Sequence, residues 1–187
     1  MSNEIIVVRH GATEWSESGR HTSRTDLALT EAGRQEAEHL RERLRDLDFE
    51  LVLTSPMRRA RDTAAICGVG ERAEVDDLLR EWDYGAYEGV TTREIRETVL
   101  GWTVWTGSCP DGETAAEVGA RADAVLERTA TIDGRVAVFS HGHFLRVLMA
   151  RWLELPSTDG RLFALRTGTL SILGYEREQR VLAQLNG

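Results

Sequence analysis

Arg9-His10-Gly11 directly follows the apolar run Ile5-Ile6-Val7-Val8, and a second histidine, His141, closes the run Val136-Ala137-Val138-Phe139-Ser140. Imidazole beside guanidinium suits phosphate chemistry: one group attacks phosphorus while the others hold its oxygens. A short, uninterrupted apolar run reads as a strand buried on both faces. In parallel α/β sheets, ligands sit just beyond the carboxyl ends of such strands. Two strand ends therefore bring Arg9, His10 and His141 to one place. Ser55-Pro56-Met57-Arg58-Arg59 follows a third apolar run, Leu51-Val52-Leu53, and Arg80-Glu81-Trp82-Asp83-Tyr84-Gly85 opens a long irregular stretch.

The elements that must position these residues follow from periodicity. Residues 4–8 read as the first strand and 11–29 as a polar, turn-rich loop. Thr30 reads as the N-cap of a helix to about Leu47, with Gly33, Ala37, Leu40, Leu44 and Leu47 on one stripe. Leu51–Leu53 is a strand. Ser55-Pro56 starts a helix that ends near Gly68, with Pro56 in the first turn, where its missing N–H costs nothing. Residues 76–112 form an excursion with a short helix at Thr92–Val99; a segment of this length with little regular structure points to function and reads as a lid over the site. A helix follows to about Ala130, burying Val118, Ala122, Val125 and Thr129. Residues 135–140 are a strand and 142–153 a deeply buried helix. Leu162–Arg166, Thr169–Tyr175 and Arg180–Gln184 read as closing strands. The order indicates an α/β fold, a three-layer α/β/α sandwich with a mostly parallel central sheet, in one domain over residues 1–187.

The chain has 187 residues, is 41% hydrophobic and carries a net charge of −8. That charge argues against nucleic acid or an anionic membrane as partner, and makes any cationic pocket a local exception. Cys67 and Cys109 have neither metal-site nor disulfide-framework spacing and read as free thiols. The sequence shows no basic leader and no apolar stretch of membrane-spanning length, so the expected location is the cytoplasm. His21, His39, Arg58 and Arg61 read as surface residues. His143 stands two residues after His141, a spacing that does not face one way on a helix, so no metal pair is expected. Trp102 and Trp105 fit either packing of the lid or stacking on a sugar.

Four motifs in order now carry a resemblance: Arg9-His10-Gly11, Thr54-Ser55-Pro56-Met57-Arg58-Arg59-Ala60-Arg61-Asp62-Thr63-Ala64, Glu81, and Ser140-His141-Gly142. Over essentially its whole length the chain resembles the histidine phosphatase superfamily, which includes the cofactor-dependent phosphoglycerate mutases. The resemblance implies a phosphoglycerate mutase-like fold and a two-step transfer. His10 becomes phosphohistidine. Arg9, Arg59 and His141 surround the non-bridging oxygens and do the work a metal does elsewhere, so neither metal nor other cofactor is implied. Glu81 protonates the leaving oxygen and then activates water, a role that needs a raised pKa, supplied by burial beside Trp82 or by the phosphate charge. Gly11 and Gly142 permit close backbone approach, and the start of helix 142–153 points N–H groups at the anion. Ser16, Thr22, Ser23 and Tyr84 are the expected contacts around the phosphate.

Within the superfamily, Val90–Pro110 carries only Arg93 and Arg96 as basic residues. Ser16 stands where mutases have Asn, and Ser23-Arg24 replaces their Gly-Trp pair. The stretch Leu79–Gly89, the Trp102, Trp105 and Cys109 set, and Ser140-His141-Gly142-His143 with Leu145-Arg146 look like the sedoheptulose-bisphosphatase-like and actinobacterial-type acid phosphatases. The expected substrate is a small phosphate ester such as a sugar phosphate. A mutase and a protein phosphohistidine phosphatase are the alternatives, and a homodimer fits the superfamily.

Overall fold

The computed structural model describes residues 4–187. Strand β1 (Glu4–Arg9) leads through a short helix, α1 (Glu14–Ser18), to α2 (Glu31–Leu44), β2 (Leu51–Thr54), α3 (Arg58–Ile66) and β3 (Ala73–Val75). An irregular excursion with single-turn helices and α4 (Thr92–Thr98) follows. The chain closes with α5 (Ala115–Ala130), β4 (Arg135–Ser140), α6 (Gly142–Trp152), β5 (Leu170–Glu176) and β6 (Gln179–Gln184). The strand order is β3-β2-β4-β1-β5-β6. The first four strands run parallel, while β5 and β6 return antiparallel at one side.

Strand period two sorts the core. Ile5 and Val7 join Val136 and Val138 on one face; Ile6 and Val8 join Ala137 and Phe139 on the other. α5 and α6 cover the first face through Val118, Ala122, Val125, Phe144 and Leu148. α2 and α3 contribute Leu40, Leu44 and Ala64 to the second. Each fully buried aliphatic side chain stabilises by about 1.5–3 kcal/mol relative to exposure. The three-layer sandwich with a mostly parallel sheet is therefore as expected. No helix among the described residues is long and apolar enough to cross a membrane.

Several boundaries differ from the sequence reading. The 11–29 loop contains α1, which Thr13 and Ser16 fix by a capping box. α2 ends at Leu44, three residues early. Pro56 precedes α3 instead of sitting in its first turn. Ser55 keeps its N–H on Phe139 O, so the chain stays extended, and the Asp26 carboxylate takes the Arg58 N–H at 2.7 Å to start the helix from a distant loop. β3, an edge strand of three residues, had no clear signal. Leu162–Arg166 is not a strand: its backbone groups bond to side chains, Leu165 O accepting from Arg9, Ala164 O from the Asn186 amide and Arg166 N–H donating to Asn186 Oδ1.

The sheet register levels the strand ends. Arg9 pairs with Ser140 and Thr54 with Phe139, so His10, Ser55 and His141 emerge side by side. Gly11 and Gly33 let the start of α2 press on the loop after β1. A Cβ on Gly33 would stand 2.2 Å from Ala12 O, and one on Gly11 2.2 Å from Gly33 O. Gly33→Ala should therefore push the His10 loop aside, costing about 1–3 kcal/mol in urea denaturation together with a fall in activity; wild-type stability and turnover would contradict this packing.

Candidate active site

His10 is buried at the carboxyl end of β1, and its Nδ1 lies 2.8 Å from Gly11 O. A carbonyl only accepts, so Nδ1 carries the proton and donates it. In the neutral ring, Nε2 keeps its lone pair. Burial, then the charges of Arg59 and Arg9, hold His10 well below the usual histidine range, while the Gly11 carbonyl pulls weakly the other way. The ring is thus neutral at pH 7, with Nε2 carrying a lone pair.

Arg9 lies beside it. One of its terminal nitrogens, Nη1, donates to Leu165 O, while its Nε is buried with no hydrogen-bond partner among the described residues. Buried donors are almost always paired, so a bare guanidinium N–H asks for an acceptor from outside the chain. Gly142 leaves the room: a Cβ there would come within 3.2 Å of the Arg9 guanidinium carbon.

Arg59 and His141 stand behind His10. The His10 and His141 rings meet edge-on, 5.2 Å between centroids. Arg59 Nε donates to His141 Nδ1 at 3.1 Å, and its other nitrogens donate to Thr25 O, Thr22 O and Ser23 O. With Nδ1 an acceptor, neutral His141 donates from Nε2 to Ser55 Oγ at 2.7 Å. Burial, then Arg59 and His10, keep His141 well below the ordinary range.

Glu81 is buried at the start of α6. Its carboxylate accepts the N–H groups of Trp82, His143 and Phe144 at 2.8–3.0 Å. This corrects one expectation: the N–H groups of His143 and Phe144 hold Glu81 and are not left free for an anion. The carboxylate takes the favourable place at the positive end of the helix.

A cavity of about 230 Å³ joins these groups. Arg9, His10, Glu81, Gly142, Ser16, Thr22 and Tyr84 line it, as do Thr13, Gly19, Arg20, His21, Thr92, His143 and Arg146. Three arginines against one carboxylate make it cationic within a chain of net charge −8. Gly11, Ser23, Arg59 and His141 are not among the lining residues. Ser23 lies on a neighbouring hollow that also touches Glu81. Among the described residues, no group of three His, Cys, Asp or Glu could hold a metal ion.

Residues 5–187 match the family model of the histidine phosphatase superfamily, branch 1. The chain belongs to this superfamily. With it, the protein is a histidine-type phosphatase. An acid phosphatase of Mycobacterium tuberculosis is 44% identical over 190 residues, covering 98% of this chain and 92% of that one. The sedoheptulose 1,7-bisphosphatase of Saccharomyces cerevisiae is 38% identical, covering 83% of this chain and 69% of its own. A solved structure of an open reading frame of M. tuberculosis superposes with a TM-score of 0.91 at 43% identity, covering 98% of this chain and 97% of that one.

In this phosphatase the excursion does not stand alone. Glu88 accepts the N–H groups of Ser23 and Thr25, and Gly89 and His21 exchange backbone bonds with their partners across the same seam. Residues 19–25 and 83–92 thus form one wall. His21, expected at the surface, is buried in it against Tyr84 and Trp102. Trp102 and Trp105 are packing residues: Trp102 meets Tyr87 and His21, and Trp105 lies between Trp82, His143 and the Arg146 guanidinium. His39, Arg58 and Arg61 are exposed, as expected. His143 lines the cavity with Nδ1 2.6 Å from the Tyr84 hydroxyl. Arg146 follows Gly142 at helical spacing, a signal that already places both on one side of α6.

Burial lowers His21 from 6.5 to about 4, against a small opposing pull from Glu88. The unfolded chain therefore binds this proton first. Stability from His21 is complete above pH 6.5 and is lost as pH falls from 6.5 toward about 4. His21→Asn should flatten the fall in unfolding free energy over that window, and an unchanged slope would place the titration elsewhere.

Proposed function

We propose that the protein hydrolyses a small-molecule phosphate monoester, foremost a sugar phosphate, through a phosphohistidine on His10 and without a metal. One observation carries the reading: a neutral His10 with a fixed tautomer opens on the same cavity as Arg9, whose buried Nε has no partner among the described residues. The names of the two relatives, an acid phosphatase and a sugar bisphosphatase, support the substrate class.

In the first step His10 Nε2 attacks phosphorus and the bond to the leaving oxygen breaks. Glu81, which must enter this step in its acid form, gives that oxygen its proton and is left as the carboxylate that serves the second step. Arg9 holds the non-bridging oxygens, and Arg59 and His141 support the developing charge from behind. In the second step water attacks the phosphohistidine, Glu81 takes the water's proton, and the N–P bond breaks to release phosphate. Ser16, Thr22, Tyr84 and Gly142 border the bound ester. Ser23 and Gly11 act through the backbone, Ser23 by accepting from Arg59 and Gly11 by holding His10.

The test is phosphate release from sugar phosphates, phosphoglycerates and p-nitrophenyl phosphate with chelator present. Release from sugar phosphates that survives chelation is the expected result. Interconversion of phosphoglycerates without release would replace the reading with a mutase.

A further inference from the structure

We propose that Glu36 activates His10 through the Gly11–Ala12 peptide, as a positioning residue for the nucleophile. The inference rests on His10 being the nucleophile, as proposed above. Glu36 lies on α2, outside the cavity. Its Oε2 accepts the Ala12 N–H at 2.8 Å, and its Oε1 accepts the Thr167 hydroxyl at 3.2 Å.

The Ala12 N–H and the Gly11 C=O belong to one peptide unit. That unit is planar and trans, so the two groups point in opposite directions. On the far side, Gly11 O accepts His10 Nδ1–H at 2.8 Å. A carboxylate, an amide and an imidazole therefore stand in one hydrogen-bonded line. Each bond in such a line polarises the next. The carboxylate draws on the N–H, and electron density moves to Gly11 O. That oxygen then pulls harder on the Nδ1 proton. No proton changes place, yet Nε2 becomes the richer nucleophile, and the positive charge that grows on the ring during phosphorylation is stabilised.

The peptide has little freedom to turn away. Thr63 Oγ1 accepts the Gly11 N–H at 3.1 Å and itself donates to Arg59 O at 2.7 Å. Gly168 donates its N–H to His10 O at 3.1 Å. Glu36 has one competing role, as counter-charge to Arg9, with which it shares a second hollow. The two roles differ in what they alter: a counter-charge to Arg9 acts on substrate binding, whereas a line to His10 acts on the chemical step.

Glu36→Ala and Glu36→Gln in the full chain separate them. In rapid-quench experiments with the preferred substrate, Glu36→Ala should slow phosphoenzyme formation about 10- to 100-fold, taking as a guide the loss when the hydrogen-bond partner of a metal-ligating histidine is removed. KM should move far less. Glu36→Gln keeps an acceptor oxygen and loses the charge, so it should lose rate several-fold, but less than the alanine. The His10 Nδ1–H proton resonance should broaden or vanish in Glu36→Ala and persist in Glu36→Gln. If the alanine variant does not fold, the glutamine variant decides through its rate and KM. An unchanged phosphorylation rate, or a loss confined to KM, would overturn the proposal, as would an unaltered His10 resonance in folded Glu36→Ala. A wild-type protein that forms no phosphohistidine would instead overturn the reading of His10, and the resonance would still report on the line itself.

Discussion

With His10 as the proposed nucleophile, His10→Ala should abolish phosphate release, a loss of about 10⁴-fold or more, because the proposed two-step route has no other entry. Binding should survive. Arg9 keeps its free Nε, and Arg59 keeps its bonds to Thr22, Thr25 and Ser23 whether or not residue 10 is a histidine. Calorimetry with inorganic phosphate should give a Kd within a few-fold of wild type, so the loss lies in the chemical step and not in an emptied or collapsed pocket. The wild type, quenched during turnover, should carry one acid-labile phosphoryl group that the variant lacks. Residual release by His10→Ala within about tenfold of wild type would mean that water, not imidazole, attacks the ester.

What could be read from the sequence depended on whether a residue's place is set locally or by distant packing. Arg9, His10 and His141 were legible because each sits at the end of an apolar run, and a parallel sheet levels such ends. The stripe on α5 was legible for the same local reason, and Thr114 with Glu117 caps it as a box. His21 was not. Nothing near it is apolar; its burial comes from Tyr84 and Trp102, more than sixty residues away, once Glu88 has tied the two loops together. Nor was the start of α3, which a carboxylate from Asp26 sets. The closing strand expected at Leu162–Arg166 failed because its backbone groups are taken by side chains from far along the chain, Leu165 O by Arg9 and Ala164 O and Arg166 N–H by Asn186, which no local pattern announces. Motif matching named Arg59 and His141, but it did not show that they face each other and the backbone, behind the cavity instead of on it.

Glu81→Gln should divide the two steps by leaving group. A sugar alkoxide leaves poorly without a proton, so removing the acid should lower kcat on sugar phosphates by about 10²- to 10⁴-fold. p-Nitrophenolate leaves as an anion, so its first step should be slowed far less. The second step still needs water deprotonated, and an amide in place of the carboxylate cannot do it. The variant should then release one equivalent of nitrophenolate in a burst and stall as phosphohistidine, where the wild type turns over steadily. The geometry makes the substitution a demanding one. Oε1 of Glu81 accepts from Trp82 and Phe144, and Oε2 accepts from His143. A glutamine can satisfy the first pair, but its amide nitrogen would then face the His143 N–H, donor to donor. Some loss could therefore come from displacing the start of α6 instead of from lost proton transfer. The burst separates the two causes. Displacing α6 would move Gly142 and Arg9 and slow both substrates alike, with no burst, whereas loss of proton transfer slows the sugar ester first and leaves the phosphoenzyme standing. Equal losses without a burst would make Glu81 the anchor of α6 and leave the proton donor to be found among the other titratable groups on the cavity wall, His21, Tyr84 and His143.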